Sequence, residues 1–221
     1  DTYINNPGGL TAVWAEEKSR DSIFRALRRR EVYGTSGPRI LLRFFGGWGY
    51  PDDLCDDALW LETADSGGVP MGADLEPMPE GASKPTFFIW SEADPGTENH
   101  PSVPLQQLQI IKGWLDADDK VHEKVYTVAG AADNGADVDL ETCTPQGDGF
   151  DSLCTVWTDP DFNAQQPAFY YVRAVENPVC RWTTWECLRL DPAERPAICN
   201  SSEIPKTVQE RAWSSPIWYT P

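Results

Sequence analysis

Apolar residues recur at helical spacing most clearly in one segment, SRDSIFRALRRREVY at residues 19–33. The positions that form this stripe are Ile23, Phe24 and Leu27. Ser19 is a favourable N-cap, and the arginines at 28–30 suit the C-terminal end of a helix. The following GTSGP contains Gly34, which can close the helix in a left-handed conformation, and then a proline that cannot continue it. The pattern therefore predicts one amphipathic helix over about residues 19–32.

After Pro38 the apolar residues alternate with period two, as in a β-strand. In RILLRFF, residues 39–45, one face holds Ile40, Leu42 and Phe44, and the other holds Arg39, Leu41, Arg43 and Phe45. Further strands are predicted at 86–91, 105–114, 121–128, 153–158, 168–176 and 213–219, with a hairpin turn at 116–120. Short strands separated by turn-rich loops indicate an antiparallel β-sandwich.

These elements predict a mainly β protein, an antiparallel β-sandwich with long disulfide-stapled loops, preceded by one amphipathic helix. We assign residues 1–38 to a linker and the helix, and residues 39–221 to the sandwich domain. Segments 46–85 and 129–152 are too rich in Gly, Pro and Asp for simple hairpins, so we expect long structured loops. The chain opens without a basic and apolar leader, as expected of a processed product or a fragment.

The chain holds six cysteines, and none of them forms a CxxC pair. An even number of cysteines in loop-like sequence predicts disulfides made in an oxidising compartment, so we expect a secreted or periplasmic protein. Reduced, buried cysteines are the alternative. Cys143 and Cys154 flank a turn-rich loop and are predicted to be bonded to each other. The spacing leaves open how Cys55, Cys180, Cys187 and Cys199 are connected.

Net charge is −17, but it is unevenly distributed along the chain. Residues 1–45 hold eight basic and five acidic side chains, whereas residues 46–221 hold ten and thirty. An acidic body of this kind repels phosphate backbones, so we expect no nucleic-acid partner. No apolar run approaches the roughly 20 residues that span a bilayer, and we expect no membrane span.

Few residue patterns in the chain indicate catalysis. Two histidines, His100 and His122, are too few for a multi-histidine metal centre within this chain. The G-x-S-x-G elbow, the phosphate-binding Walker loop and the dinucleotide glycine pattern are all absent from the sequence. Hydrolysis by a pair of carboxylates stays open, although no spacing singles out a pair among the 35 acidic residues.

An acidic loop is the best candidate for a metal site. The sequence ADNGADVDLE, residues 132–141, groups the oxygen-bearing side chains of Asp133, Asn134, Asp137, Asp139 and Glu141 beside a glycine. Calcium prefers hard oxygen ligands on a flexible loop, so Asp133, Asp137, Asp139 and Glu141 are candidate calcium ligands. The spacing is not that of an EF-hand, and a solvated acidic loop without metal is the alternative.

Two tryptophans between cysteines suggest a sugar-binding surface. In CRWTTWEC, residues 180–187, Trp182 and Trp185 could stack on sugar rings if their indoles are exposed. The alternative is that these residues cover the core or brace a disulfide loop. Together with the acidic loop, they favour a stand-alone calcium-dependent carbohydrate-binding module as the alternative function.

Six separated blocks carry a family resemblance. They are NPGGLTAVWAEEKSRDSIFRALRRREVYGTSGPRILLRFFGGW, GVPMGADL, LQQLQIIKGW, HEKVYTVAG, AFYYVRAVENP and IPKTVQERAWSSPIWYTP. They resemble, in order and over nearly the whole chain, the C-terminal part of a bacterial family similar to the PHP (polymerase and histidinol phosphatase) metal-dependent phosphoesterases. The metal-binding barrel of such proteins has no counterpart here, so no metal ligands carry over.

The resemblance implies that the 19–33 helix corresponds to the last helix of that barrel, followed by a sandwich appendage. The helix would then dock onto a preceding PHP-like catalytic domain; a solvated basic face is the alternative. The chain would be the non-catalytic C-terminal accessory part of a secreted or periplasmic hydrolase, shaping or covering its active site. Its substrate, its reaction and its oligomeric state do not follow from the resemblance.

Overall fold

Two antiparallel sheets enclose one apolar core in the computed structural model, which describes residues 4–6, 8–98 and 100–221. The strands in this part of the chain are β1 (Leu10–Val13), β2 (Val32–Thr35), β3 (Leu41–Gly47), β4 (Gly68–Pro70), β5 (Thr86–Glu92), β6 (Gly96–Thr97), β7 (His100–Pro101), β8 (Leu105–Leu115), β9 (Val121–Gly130), β10 (Asp137–Asp139), β11 (Thr144–Gln146), β12 (Ser152–Thr158), β13 (Ala168–Glu176), β14 (Val179–Cys180), β15 (Thr207–Val208), β16 (Arg211–Ser214) and β17 (Ile217–Tyr219). The helices are α1 (Arg20–Arg29), α2 (Trp60–Ser66) and α3 (Trp182–Arg189), with 3₁₀ turns at Leu54–Asp56 and Ala197–Asn200.

The larger sheet has the order β1-β2-β16-β13-β8-β9, with β17 also paired to β13, and the smaller sheet has the order β12-β5-β3-β4. All their strand pairs are antiparallel. The strand face that carries Ile40, Leu42 and Phe44 is fully buried, and it packs with apolar residues of β8 and β13 between the sheets. The predicted mainly β, antiparallel sandwich is confirmed.

The predicted strands agree with those observed, with one exception. The segment predicted as one strand at 213–219 forms β16 and β17, which both pair with β13. Pro216 lies between them and has no N–H to donate to a ladder, so the strand is interrupted there. The predicted hairpin is confirmed, because Leu115 pairs with Val121 across the turn.

Helix α1 begins as predicted but ends earlier. The Ser22 N–H donates to Ser19 Oγ at 3.2 Å, which confirms the N-cap. The left-handed residue is Arg30, with φ 62°, and not Gly34, which lies in β2. The N–H of Glu31 donates to the Ala26 carbonyl and closes the end of the helix. The next residue, Val32, is the first residue of β2. The prediction that Gly34 closes the helix is therefore wrong.

Residues before 39 contribute directly to the larger sheet. Helix α1 connects β1 to β2, and β2 pairs with β16 near the C-terminus. Ser36 adds hydrogen bonds to Arg211: its N–H donates to the Arg211 carbonyl at 2.9 Å, and its Oγ accepts from the Arg211 N–H at 2.8 Å. The first and last segments of the chain thus lie side by side.

A second, smaller core covers the outer face of the smaller sheet. Phe45 and Phe88 pack there with Tyr50, Leu54 and Ala64, from the segment that contains α2. We call this segment the cover of the smaller sheet. The Tyr50 hydroxyl donates to the Ala64 carbonyl at 2.7 Å and so links two parts of the cover. The segment predicted as a long structured loop is thus the second layer of a core.

All six cysteines are paired, as three disulfides: Cys55–Cys154, Cys143–Cys180 and Cys187–Cys199. The predicted bond between Cys143 and Cys154 is wrong. Cys154 lies on β12 beside the cover of the smaller sheet, whereas Cys143 lies in the turn of the β10–β11 hairpin next to β14. Three disulfides indicate formation in an oxidising environment. No helix in the described ranges is long and apolar enough to cross a membrane.

Candidate functional site

The acidic loop and the tryptophan segment lie next to each other. Val138 and Cys143 pack with Cys180 and Leu188 in one small apolar cluster, which the Cys143–Cys180 disulfide ties together. We call the region formed by β10, β11, β14, α3 and β15 the disulfide lobe. The structure therefore brings together two groups of residues that the sequence singled out separately.

The candidate calcium ligands bond mainly within their own loop. Asp139 accepts from the Glu141 N–H at 2.8 Å, and this bond holds the pKa of the Asp139 carboxyl below its ordinary value. Asp137 accepts from the Val138 N–H at 2.8 Å. Within the described ranges, no three His, Cys, Asp or Glu side chains are arranged to hold a metal ion. Calcium binding by Asp133, Asp137, Asp139 and Glu141 stays a prediction.

Asn134, grouped with these acids in the sequence, anchors the loop to the sandwich. Its side-chain oxygen accepts from Gln106 Nε2 at 3.0 Å and from the Ala136 N–H at 3.1 Å. Its amide nitrogen donates to the Asp148 carbonyl at 2.8 Å and to Asn177 Oδ1 at 2.9 Å. Both the oxygen and the nitrogen of the Asn134 side-chain amide are therefore hydrogen-bonded to other groups of the protein.

Both predicted tryptophans line one surface cleft of about 200 Å³. Asn6, Arg181 and Glu210 also contribute to its wall. Arg181 Nε donates to Asn6 Oδ1 at 2.9 Å, and Trp182 Nε1 donates to the Asn5 carbonyl at 3.0 Å. Trp185 is 41% exposed. The cleft thus combines an exposed indole with an amide and a carboxylate.

A buried charged cluster joins the two sheets. Lys112 on β8 donates from Nζ to Asp159 Oδ2 at 2.6 Å and to the Asp161 carbonyl at 2.8 Å. Tyr170 on β13 donates its hydroxyl to the same Asp159 oxygen at 2.7 Å. Burial, followed by the Asp159 charge, raises the pKa of Tyr170. Sequence reasoning missed this cluster, although Lys112 lies two residues after buried Ile110 and alternation alone puts both on the core face.

One buried carboxyl has an oxygen without a partner. Glu176 at the end of β13 is 1% exposed, and its Oε1 has no hydrogen-bond partner among the described residues. Burial raises the pKa of Glu176 from 4.5 to about 8, and the nearby charges of Glu210 and Asp94 act in the same direction. Glu176 is therefore protonated at neutral pH.

We expect Glu176→Gln to flatten the pH dependence of stability. Between pH 4.5 and about 8 the folded chain keeps a proton that the unfolded chain releases, so stability falls as pH rises through this window. The loss reaches up to about 3 kcal/mol at pH 7. A glutamine at position 176 stays neutral throughout this pH range, so the variant does not show this loss of stability. Urea unfolding at pH 5 and pH 8 measures the difference, with exposed Glu123→Gln as the control. If both variants keep the wild-type pH dependence, the assignment to Glu176 is wrong.

Comparison with known proteins places this sandwich in a family. The family model for DUF3604, described as a protein of unknown function, matches residues 1–221. Neither the curated proteins nor the solved structures gave a significant match. Since the match covers every element described above, from the strand before α1 to the last strand, the chain belongs to the DUF3604 family.

Proposed function

We propose that this chain is the non-catalytic C-terminal accessory part of a secreted or periplasmic PHP-like metal-dependent hydrolase, docked onto a preceding catalytic domain through α1. The observation that carries the proposal is the outward face of α1. Large apolar residues of this helix point away from the sandwich, which is unusual for an amphipathic helix packed on its own domain.

Small side chains form the inner face of α1. Ser22 and Ala26 are buried, whereas Phe24 is 57% exposed and Leu27 is 47% exposed. Two residues of the predicted apolar stripe, Phe24 and Leu27, are therefore turned outward, whereas the third, Ile23, is half-buried. The outward pair offers an apolar surface that a partner would cover. We call Arg20, Phe24, Leu27 and Arg28, which share spacings of three and four residues, the outer face of α1.

The charge of the outer face indicates the character of its partner. The Arg28 guanidinium lies 6.0 Å from the centre of the Phe24 ring, so cationic and apolar groups are interleaved. A partner surface that presents apolar residues bordered by carboxylates would complement it. Most of the remaining chain is acidic and would repel an acidic partner surface. Such a surface would therefore bind at the basic helix α1 and not elsewhere on the chain.

His122 and Lys112, two side chains with catalytic potential, have structural partners, which supports an accessory role. His122 Nε2 lies 2.7 Å from Asp116 Oδ2, and its ring stacks on Trp114. Lys112 and Asp159 neutralise each other in the core. A PHP-type reaction needs two or three metals held by converging ligands, which on this proposal the preceding domain supplies.

The test pairs residues 1–221 with a separately produced preceding PHP-like domain of the same polypeptide. We expect no phosphoesterase turnover by residues 1–221 alone with manganese, zinc or magnesium. In calorimetry, Phe24→Glu with Leu27→Glu should weaken binding between the two parts by at least about tenfold, because charge would replace the apolar contact.

The matched control is Leu59→Glu with Leu61→Glu, which changes residues of similar exposure, 59% and 40%, away from α1. Binding should stay within about twofold of wild type. Metal-dependent turnover by residues 1–221 alone, or equal loss of binding in both double variants, would overturn the proposal.

Carbohydrate binding at the cleft of the disulfide lobe is the second candidate function. The exposed Trp185 ring beside Glu210 and Asn6 favours it, since sugars bind by ring stacking and by polar side chains. Calcium would enter through the neighbouring 133–141 loop. A glycan array probed with and without a chelator, and with Trp185→Ala, tests this candidate. No glycan bound, or binding unchanged by the substitution, rules out the cleft as a lectin site.

A further inference from the structure

A second cleft, of about 190 Å³, lies where β3 ends beside the C-terminal end of α2, far in sequence from the disulfide lobe. Its lining residues are Gly46, Gly47, Trp48, Ser66, Gly67, Gly68, Val69 and Glu76. We call it the Trp48 cleft. It involves none of the residues of the outer face of α1, so it is independent of the docking role proposed above.

The glycines are required by the close approach of two chain segments. A Cβ at Gly47 would lie 2.5 Å from the Gly67 carbonyl oxygen, and one at Gly68 would lie 2.1 Å from the Gly46 carbonyl oxygen. Because these positions carry no side chains, the floor of the cleft is made of peptide groups.

Glu76 is the charged residue among those that line the cleft. The last helical carbonyls of α2 emerge here, and Thr63 and Ala64 already accept from Gly67 N–H and the Tyr50 hydroxyl. Glu76 is held at the rim by its backbone, whose carbonyl accepts from Trp48 Nε1 at 2.8 Å. In the described part of the chain its carboxylate has neither an ion pair nor a hydrogen bond, and no basic residue lines the cleft.

The indole of Trp48 is held in a fixed orientation. Besides the bond to Glu76, it makes edge-to-face contacts with Phe162 and Tyr219, at 5.8 and 6.0 Å between ring centres. A fixed, partly exposed indole and a carboxylate that line the same cleft are the combination that recognises an organic cation, through a cation–π contact and a charged hydrogen bond. The Glu76 carboxylate would repel an anion.

We propose that the Trp48 cleft binds an organic cation, a guanidinium or alkylammonium group. The cation can belong to a small molecule or to a basic side chain of another protein, since both present the same group. The indole would cover its apolar face while the Glu76 carboxylate accepts its N–H donors.

The experiment titrates residues 1–221 with ethylguanidinium at constant ionic strength and follows the Trp48 indole N–H by NMR, assigned by its loss in Trp48→Phe. We expect a saturable shift, and Glu76→Gln should raise the Kd by about tenfold. The matched control is Glu80→Gln, an exposed glutamate nearby in sequence that does not line the cleft, with a change within about twofold. No saturable shift, or equal effects of the two variants, would overturn the proposal.

A second arm identifies the source of the cation. Free arginine is compared with a tripeptide that carries a central arginine and is blocked at both ends. Tighter binding of the peptide supports the site as one for a protein side chain, and tighter binding of free arginine supports it as one for a small molecule. Failure of both to compete with ethylguanidinium would contradict the proposal.

Discussion

Replacing Lys112 by methionine is expected to lower the free energy of unfolding by about 3–5 kcal/mol. The substitution shortens the unbranched side chain by one atom and removes the charge that faces Asp159, which is 0% exposed. The carboxylate would then be buried beside the Tyr170 hydroxyl with no cation to compensate it. Breaking a buried ion pair costs more than the pair contributes, because desolvation of the remaining charge is no longer offset. Urea unfolding at pH 7 measures the loss.

The matched control is Lys124→Met. Lys124 also pairs with an aspartate, Asp161, but both side chains are 50% exposed and water screens the pair. We expect a loss of at most about 1 kcal/mol there. The double variant Lys112→Met with Asp159→Asn should lose less than the sum of its single variants, because no unpaired charge remains. Similar losses for Lys112→Met and Lys124→Met would show that Asp159 is not desolvated as the structure has it.

Removing the Cys55–Cys154 disulfide is expected to cost about 4.7 kcal/mol, and removing Cys187–Cys199 about 2.8 kcal/mol. The first bond joins residues 99 apart and the second joins residues 12 apart, so the first restricts the unfolded chain far more. The test unfolds the two double serine variants in guanidinium chloride beside the wild type. Cys55–Cys154 also ties the cover of the smaller sheet to β12, so its loss should expose Trp60 and Trp90, which stack on each other there. An equal or larger loss for the Cys187–Cys199 variant would contradict this prediction.

The sandwich could be predicted from local patterns. Alternation in residues 39–45 follows from the pleat of a strand, and Ile40, Leu42 and Phe44 are buried as that pattern requires. The hairpin at 116–120 and the cap at Ser19 depend on residues within a few positions of each other. Such features follow from local sequence, so they can be predicted without knowing the long-range contacts.

What the sequence did not reveal depends on contacts between distant segments. Cys154 bonds to Cys55 and not to Cys143 because strand pairing decides which cysteines meet. Phe45, on the strand face that also carries Arg39 and Arg43, is buried because residues 50–64 fold over it. The Trp48 cleft likewise forms from segments near 46, 67 and 76, and no motif in any one of them indicates it.

The pairing of β2 with β16 has a consequence for how the chain folds during synthesis. Residues 32–35 have no complete sheet to join until residues 211–214 have left the ribosome, so the larger sheet cannot close before residue 214 has been made. Most of the preceding strands would stay partly paired until then. Folding is slow in sheets that depend on pairs between strands far apart in sequence. Truncation before Arg211 should therefore leave the entire larger sheet prone to aggregation, and not merely shorten it by one strand.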